Sequence, residues 1–136
     1  MRVFVYFNLH KKLWSVKALE GPDKGRVIAH KRMLTLANAT PRVSEKGRQR
    51  VLQERRKNVH AGIVGDWDVV GEDINLPADR KYLGRLYYNP YYVKTFQLEN
   101  KDWDGSQYAV FDSSDRGLYV YDDWFSHAAY AYEDLV

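Results

Sequence analysis

The chain has 136 residues, no cysteine and a net charge of +3 at pH 7. Its length suits a single domain with a buried core, and the lack of cysteine excludes disulfide bonds, cysteine-ligated zinc and a thiol nucleophile. The N-terminal apolar run is too short for a secretion signal, and no stretch of about 18 consecutive apolar residues offers a membrane span. We therefore expect residues 1–136 to form one soluble, intracellular domain with no membrane partner.

The small net charge conceals a strong division along the chain. Residues 1–61 contain fifteen lysines and arginines against four acids, whereas residues 62–136 contain six against fourteen. Such an asymmetry between halves is a hint of nucleic-acid or anionic-ligand binding. The alternative is that the two halves pack together and that their charges pair across the fold.

The first 43 residues have the pattern of a β-meander. Residues 2–9 carry apolar side chains on both faces of an alternating pattern, which predicts a central strand. The loop at residues 21–25, GPDKG, places proline and glycine where a turn needs them. Residues 38–41 are expected to connect the meander to the next element. The predicted strands are residues 2–9, 13–19, 26–30 and 33–36.

Residues 44–58 form the principal predicted helix. Ser44 is suited to cap it, because a serine hydroxyl can accept a hydrogen bond from the free backbone N–H groups of a first helical turn. Glu45 then lies near the positive end of the helix dipole, where an acidic side chain is favourable. These features place the start of the helix at Ser44.

The predicted helix has an apolar side and a basic side. At about 100° per residue, Val51, Leu52 and Val59 fall together. Arg48 and Arg55 fall within this narrow apolar face, where an arginine must extend to the edge or meet a carboxylate or phosphate. The opposite stripe consists of Lys46, Arg50, Gln53 and Lys57.

Residues 59–136 are expected to form strands separated by acidic loops. Residues 66–80 are acidic and rich in turn residues, which predicts a long surface excursion. Residues 82–98 predict a hairpin that turns at Asn89-Pro90, since Asn-Pro is a turn dipeptide. The pattern in residues 124–136 fits a strand and a short helix equally well. Further strands are predicted at residues 59–64, 107–111 and 118–121.

These elements together predict an α+β fold. We expect a mainly antiparallel, twisted sheet of about six to eight strands, with one principal helix packed against it. The domain then consists of the meander at residues 1–43, the basic helix at residues 44–58, and the strands and acidic loops at residues 59–136.

Four runs of the sequence resemble a group of small proteins from bacteriophage and prophage genomes. These runs are YFNLHKKLWSVKA, GRVIAH, SEKGRQRVLQERRKNVHAGIVG and the later YNPYY. The resemblance covers roughly the first half of the chain. It implies a viral protein in the cytoplasm of a host cell, and it implies no mechanism. Because small phage proteins often act against host systems, it also implies a second hypothesis, an anti-defence inhibitor that binds a host protein or sequesters a signalling nucleotide.

The basic helix and the later tyrosines predict a site for a phosphate-bearing ligand. Lysine and arginine neutralise phosphates and release counterions, and aromatic faces stack on unpaired bases with about 1–3 kcal/mol each. We expect a nucleic acid or a nucleotide as partner, bound without a cofactor. The alternative for any one tyrosine is core packing, because successive strand residues face opposite sides. The candidate residues are Arg48, Arg50, Arg55, Arg56 and Lys57 for charge, Asn58 and His60 for hydrogen bonds, and Tyr87, Tyr88 and Tyr91 for stacking.

No catalytic signature and no metal-binding motif is present, which favours a binding protein over an enzyme. A third hypothesis is a histidine-dependent nuclease, in which His10 and His60 act as acid and base. Lys11, Arg56 and Lys57 would then steady the phosphate. It requires folding to bring the two histidines together. Acidic residues cluster at positions 66–73 and again at positions 112–123. Neither cluster matches an EF-hand loop, so solvated loops are expected at both.

Overall fold

The computed structural model describes residues 1–67 and 80–122. Most of the predicted excursion at residues 66–80 and all of residues 124–136 lie outside this part of the chain. The elements, in chain order, are β1 (Arg2–Asn8), β2 (Leu13–Ala18), β3 (Val27–Lys31), β4 (Met33–Val43), α1 (Glu45–Glu54), β5 (Ala61–Asp66), β6 (Tyr82–Arg85), β7 (Gln97–Leu98), β8 (Lys101–Asp102), β9 (Gln107–Asp112) and β10 (Gly117–Tyr121).

Eight of the strands form one antiparallel sheet in the order β3-β2-β1-β5-β4-β9-β10-β6, and β7 pairs with β8 in a two-stranded ribbon. Strand β1 lies between two neighbours, as its two apolar faces predicted. With one helix among the described residues, the arrangement is α+β, which confirms the predicted fold class.

The sheet curves so strongly that distant strands share one core. The ring of Trp14 on β2 packs edge-on against Phe111 on β9, with 4.9 Å between centroids, although three strands lie between them in the sheet. Phe111 is fully buried. Along β1, β4 and β9 buried residues alternate with less buried ones, as a half-buried sheet requires, whereas β5 is buried at residues 62–65 in succession. The fully buried strand residues include Val3, Val5, Val16, Leu34, Leu36, Ile63, Ala109 and Val120.

A β-bulge in β4 lets this strand pair along both of its edges while the sheet bends. The register of β4 shifts between Ala37 and Thr40 on the β5 side, and between Leu36 and Ala39 on the β9 side. Asn38, inside both shifts, has a φ of 49°. Bulges increase local twist. The predicted connection at residues 38–41 is therefore wrong, because turn-forming Asn38 serves a bulge within a strand of eleven residues.

Helix α1 begins where the sequence predicted and ends earlier. The Ser44 hydroxyl accepts a hydrogen bond from the backbone N–H of Gly47 at 3.1 Å, which confirms the cap. Arg55 adopts a left-handed conformation, with a φ of 53°, and its N–H donates to the Val51 carbonyl at 2.9 Å. The predicted helical stretch beyond Glu54 is thus wrong. Among the described residues, no helix is long and apolar enough to cross a membrane.

Residues 82–98 contain the predicted turn without the predicted strand pair. Strand β6 pairs with β10, and β7 pairs with β8, so the two do not pair with each other. The chain segments before and after the turn are joined instead by an isolated antiparallel bridge between Tyr87 and Gln97. The turn itself is organised by Asn89, whose side-chain oxygen accepts from the N–H of Tyr91 at 3.0 Å. The backbone carbonyl of Asn89 accepts from the N–H of Val93, also at 3.0 Å. We call residues 87–93 the tyrosine turn.

Candidate functional site

Arg48 joins the helix to the tyrosine turn. The residue is 7% exposed, and its Nε donates to the carbonyls of Pro90, at 3.0 Å, and Val93, at 3.1 Å. One of its terminal nitrogens donates to the Glu45 carboxylate at 3.0 Å. The sequence predicted that Arg48 would extend to the edge or meet a carboxylate or phosphate, and it meets a carboxylate. Its guanidinium holds the turn against the helix.

His60 makes a second connection to the same turn. Its Nε2 lies 2.6 Å from the Tyr88 hydroxyl, and its Nδ1 lies 3.1 Å from the side-chain oxygen of Asn58 and 3.2 Å from the Asn58 carbonyl. Because both partners of Nδ1 are acceptors, Nδ1 carries a proton, and in the neutral ring Nε2 then accepts from the Tyr88 hydroxyl. Asn58 and Tyr88 therefore fix the orientation of the imidazole ring.

Tyr88 is the most enclosed tyrosine of the turn. Its ring lies 4.9 Å from that of Phe96, centroid to centroid, and 5.6 Å from the ring of His60. Burial raises the pKa of Tyr88 to about 12, against an opposing effect of the positive charge on Arg48. The hydroxyl therefore stays protonated at neutral pH and serves as a donor to His60. Tyr88 supports the turn and presents less surface than its neighbours.

The other predicted cations are exposed near the C-terminal end of α1. Arg50 lies on the helix, and Arg55, Arg56 and Lys57 follow in the connection to β5. Within residues 1–67 and 80–122, no carboxylate forms an ion pair with any of these four side chains. The helical positions predicted for Arg55 and Lys57 are wrong, because the helix ends at Glu54. All four positive charges face solvent.

Three tyrosines of the turn are also exposed. Tyr87 is 51% exposed, Tyr91 53% and Tyr92 78%. Tyr92 was not among the predicted site residues, and alternation along a strand was the alternative interpretation for each tyrosine. Since these residues form a turn, alternation does not apply, and adjacent tyrosines reach solvent together. The Asn89-Pro90 dipeptide was the signal that could have revealed Tyr92.

Strand register places a further basic turn near this surface. Val5 of β1 lies opposite Ile63 of β5, and antiparallel continuation brings the β1–β2 turn level with His60. That turn carries exposed Lys11 and Lys12. We call this end of the sheet, with α1, the β1–β2 turn and the connection before β5, the helix end. The β2–β3 loop lies at the opposite end, since Ala18 pairs with Val3.

No hydrogen bond joins the two histidines of the hypothetical catalytic pair in the described part of the chain. His10 lies in the β1–β2 turn at the helix end, but no hydrogen bond joins it to His60. Both ring nitrogens of His60 are already hydrogen-bonded to Asn58 and Tyr88. General acid–base catalysis needs a nitrogen within reach of the substrate. In residues 1–67 and 80–122, no three histidine, aspartate or glutamate side chains are grouped to hold a metal ion.

The fold and this surface define a small α+β protein with a curved antiparallel sheet and exposed cations and tyrosines at one end. The chain belongs to the family of the Mycobacterium phage L5 gene 82 protein, whose profile matches residues 1–120. It is similar to the Gene 82 protein of Mycobacterium phage L5, with 48% identity over 107 residues, covering 74% of this chain and 79% of that protein. No solved structure matches the fold. The resemblance to bacteriophage proteins is confirmed.

Proposed function

We propose that the protein binds a phosphate-bearing ligand, a nucleic acid or a nucleotide, at the helix end of the sheet. The proposal is supported by one observation above all. Arg50, Arg55, Arg56 and Lys57 are exposed, and no carboxylate of residues 1–67 or 80–122 pairs with them. Four neighbouring positive charges repel one another, and an anionic ligand relieves that repulsion while releasing counterions.

The tyrosine turn supplies the second part of the proposed site. Tyr87 and Tyr91 expose about half of their surface, enough to stack on an unpaired base. The His60–Tyr88 hydrogen bond and the Arg48 contacts fix the turn before any ligand arrives. A pre-formed turn lowers the entropic cost of binding. In this arrangement the cations hold phosphates and the tyrosines hold bases, with Asn58 and His60 positioning the connection between them.

Family membership supports a second candidate, an anti-defence inhibitor in the cytoplasm of the host. A phage protein that contacts a host protein, or sequesters a signalling nucleotide, would use an exposed charged and aromatic surface of the same kind. Arg and Tyr are enriched in the centres of protein interfaces. Recovery of one host protein at equal stoichiometry, lost on replacement of Arg56, would favour this candidate over nucleic-acid binding.

Two matched double variants test the proposed site. Arg56→Gln/Lys57→Gln removes two positive charges at the helix end, and Lys24→Gln/Arg26→Gln removes two exposed charges at the opposite end of the sheet. The measurement is fluorescence anisotropy of a labelled single-stranded oligonucleotide across a series of salt concentrations, with ATP as the nucleotide competitor. The two variants have the same net charge, so a difference in their affinities shows at which end of the sheet the oligonucleotide binds.

We expect the helix-end variant to bind more weakly than the control variant. Its slope of log affinity against log salt should fall in magnitude by about 1.4, since each lost phosphate contact to a single strand contributes about 0.7. If ATP displaced the oligonucleotide, the site would also bind a mononucleotide. Equal affinities and equal slopes in the two variants would refute the proposed site.

A further inference from the structure

A groove lies on the outer face of the sheet, on the opposite side from the core. Its volume is about 360 Å³, and it crosses strands β4, β9, β10 and β6. Met33 pairs with Asp112 at the start of β4, whereas the helix end lies beyond the other end of β4 at Val43. The groove is therefore separate from the helix-end surface. It is lined by Met33, Tyr82, Val110, Asp112, Tyr119 and Tyr121.

Three tyrosine rings form the walls of this groove. The ring centroid of Tyr82 lies 6.3 Å from that of Tyr119 and 5.3 Å from that of Tyr121, with interplanar angles of 47° and 53°. Rings at these distances pack against one another in tilted pairs, and the three rings together line the groove. Gly117 makes room for the Tyr119 ring, because a Cβ at this position would collide with it. The ring lies against bare backbone.

Asp112 places a fixed negative charge in the groove. Its carboxylate accepts hydrogen bonds from the Ser114 backbone N–H at 3.0 Å and from the Ser114 hydroxyl at 2.7 Å. Within the described ranges, no lysine or arginine forms an ion pair with Asp112. A carboxylate beside aromatic rings attracts a cation and repels a phosphate.

The same face of the sheet already holds two guanidinium groups over tyrosine rings. The Arg80 guanidinium carbon lies 3.8 Å from the centroid of the Tyr108 ring, and that of Arg85 lies 5.6 Å from the centroid of the Tyr119 ring. Tyr108 lies opposite Tyr121 in the β9–β10 register. These contacts are cation–π interactions. Arg85 is also held by Asp115, whose backbone carbonyl accepts from it at 3.0 Å.

We propose that this groove binds the side chain of an arginine from a partner polypeptide. An arginine satisfies both features of the groove, since its planar guanidinium stacks on tyrosine faces and its N–H groups can donate to the Asp112 carboxylate. A neutral apolar ligand would leave that carboxylate desolvated and unpaired, which is costly. A lysine would bring charge without the flat face that the inclined rings accommodate.

The experiment uses the full chain and two blocked tripeptides, Gly-Arg-Gly and the same peptide with citrulline in place of arginine. Citrulline has the same shape and no charge. Binding is followed by amide and tyrosine chemical shifts in an NMR titration to millimolar peptide. We expect the arginine peptide to shift groove residues and to bind roughly tenfold more tightly than the citrulline peptide, a difference typical of a cation–π contact with a charge partner.

Two variants locate the binding. Asp112→Asn keeps an oxygen acceptor for Ser114 and removes the charge, so it should weaken binding of the arginine peptide severalfold and leave the weak citrulline binding unchanged. Gly117→Ala should displace the Tyr119 ring and weaken binding as well. Tyr92→Leu, on the tyrosine turn, is the control and should change neither affinity. Equal binding of the two peptides, no binding at millimolar concentration, or full arginine affinity in Asp112→Asn would overturn the proposal.

Discussion

Arg48 shows how a charged residue comes to lie inside a helix face that is otherwise apolar. Its burial followed from helical periodicity, because position 48 falls on the same side as Val51, which is also buried. Its hydrogen-bond partners could not be predicted from periodicity, since Pro90 and Val93 are 42 and 45 residues away in the sequence. A buried guanidinium needs acceptors for its donors, and only the folded chain brings these two carbonyls together.

Replacement of Arg48 by methionine should destabilise the protein. Arg48→Met keeps much of the apolar stem but leaves the carbonyls of Pro90 and Val93 without their donor. We expect the free energy of unfolding to fall by about 1–3 kcal/mol, the cost of leaving buried acceptors unsatisfied. Urea denaturation followed by tryptophan fluorescence measures the change.

Arg50→Met is the matched control for this substitution. Arg50 lies on the same helix, is exposed and pairs with no described carboxylate, so its replacement should change stability by less than about 0.5 kcal/mol. If the two variants unfolded at the same urea concentration, Arg48 would not hold the turn in place.

Helix α1 shows which features of an element are local and which are not. Its start was predictable, because a serine cap depends only on residues within one turn. Its end was not, because Arg55 takes a left-handed conformation that glycine adopts more readily. Gly47 has a similar long-range explanation. A Cβ at position 47 would lie 2.7 Å from the Cβ of His60, which is too close. Glycine therefore lets α1 lie close to the start of β5, although it destabilises a helix by up to about 1 kcal/mol relative to alanine.

Removal of the helix cap should loosen α1 selectively. Ser44→Ala loses the hydrogen bond from the Gly47 N–H, and we expect a loss of about 1 kcal/mol in the free energy of unfolding. Ser44→Asp keeps an acceptor at the helix N-terminus and should remain close to the parent protein. Thermal unfolding followed by circular dichroism compares the three proteins. An unchanged stability in Ser44→Ala would show that the cap contributes nothing, and equal losses in both variants would show that its hydrogen bond is not the cause.

The strands illustrate the same division between local and distant causes. The β1–β2 hairpin was predictable from alternation and a polar turn between neighbouring segments. The position of β4 between β5 and β9 was not, because it depends on pairings with segments far along the chain. The bulge at Asn38 permits both pairings. Its residue type favours turns and bulges alike, so the sequence could not distinguish them.

At the scale of the whole molecule, the two charge classes of the sequence stay partly apart within residues 1–67 and 80–122. An ion pair that crosses between the basic and acidic halves joins Arg2 to Asp66 at 3.9 Å. Because Arg2 begins β1 and the β1–β2 turn follows its other end, this pair lies away from the helix end. In the described part of the chain, Arg50, Arg56 and Lys57 remain without such partners. Charge composition predicted the presence of a basic surface, and sheet topology determines where it lies.

The account depends on the helix-end cations and the tyrosine turn acting as one surface. An NMR titration of the full chain with a short single-stranded oligonucleotide at low salt tests this directly, because backbone amide shifts report each segment separately. We predict the largest changes at residues 46–60 and 87–93, and their disappearance as salt is raised. Changes confined to the β2–β3 loop or to the groove at Tyr82 and Tyr119, or no changes at all, would contradict the account.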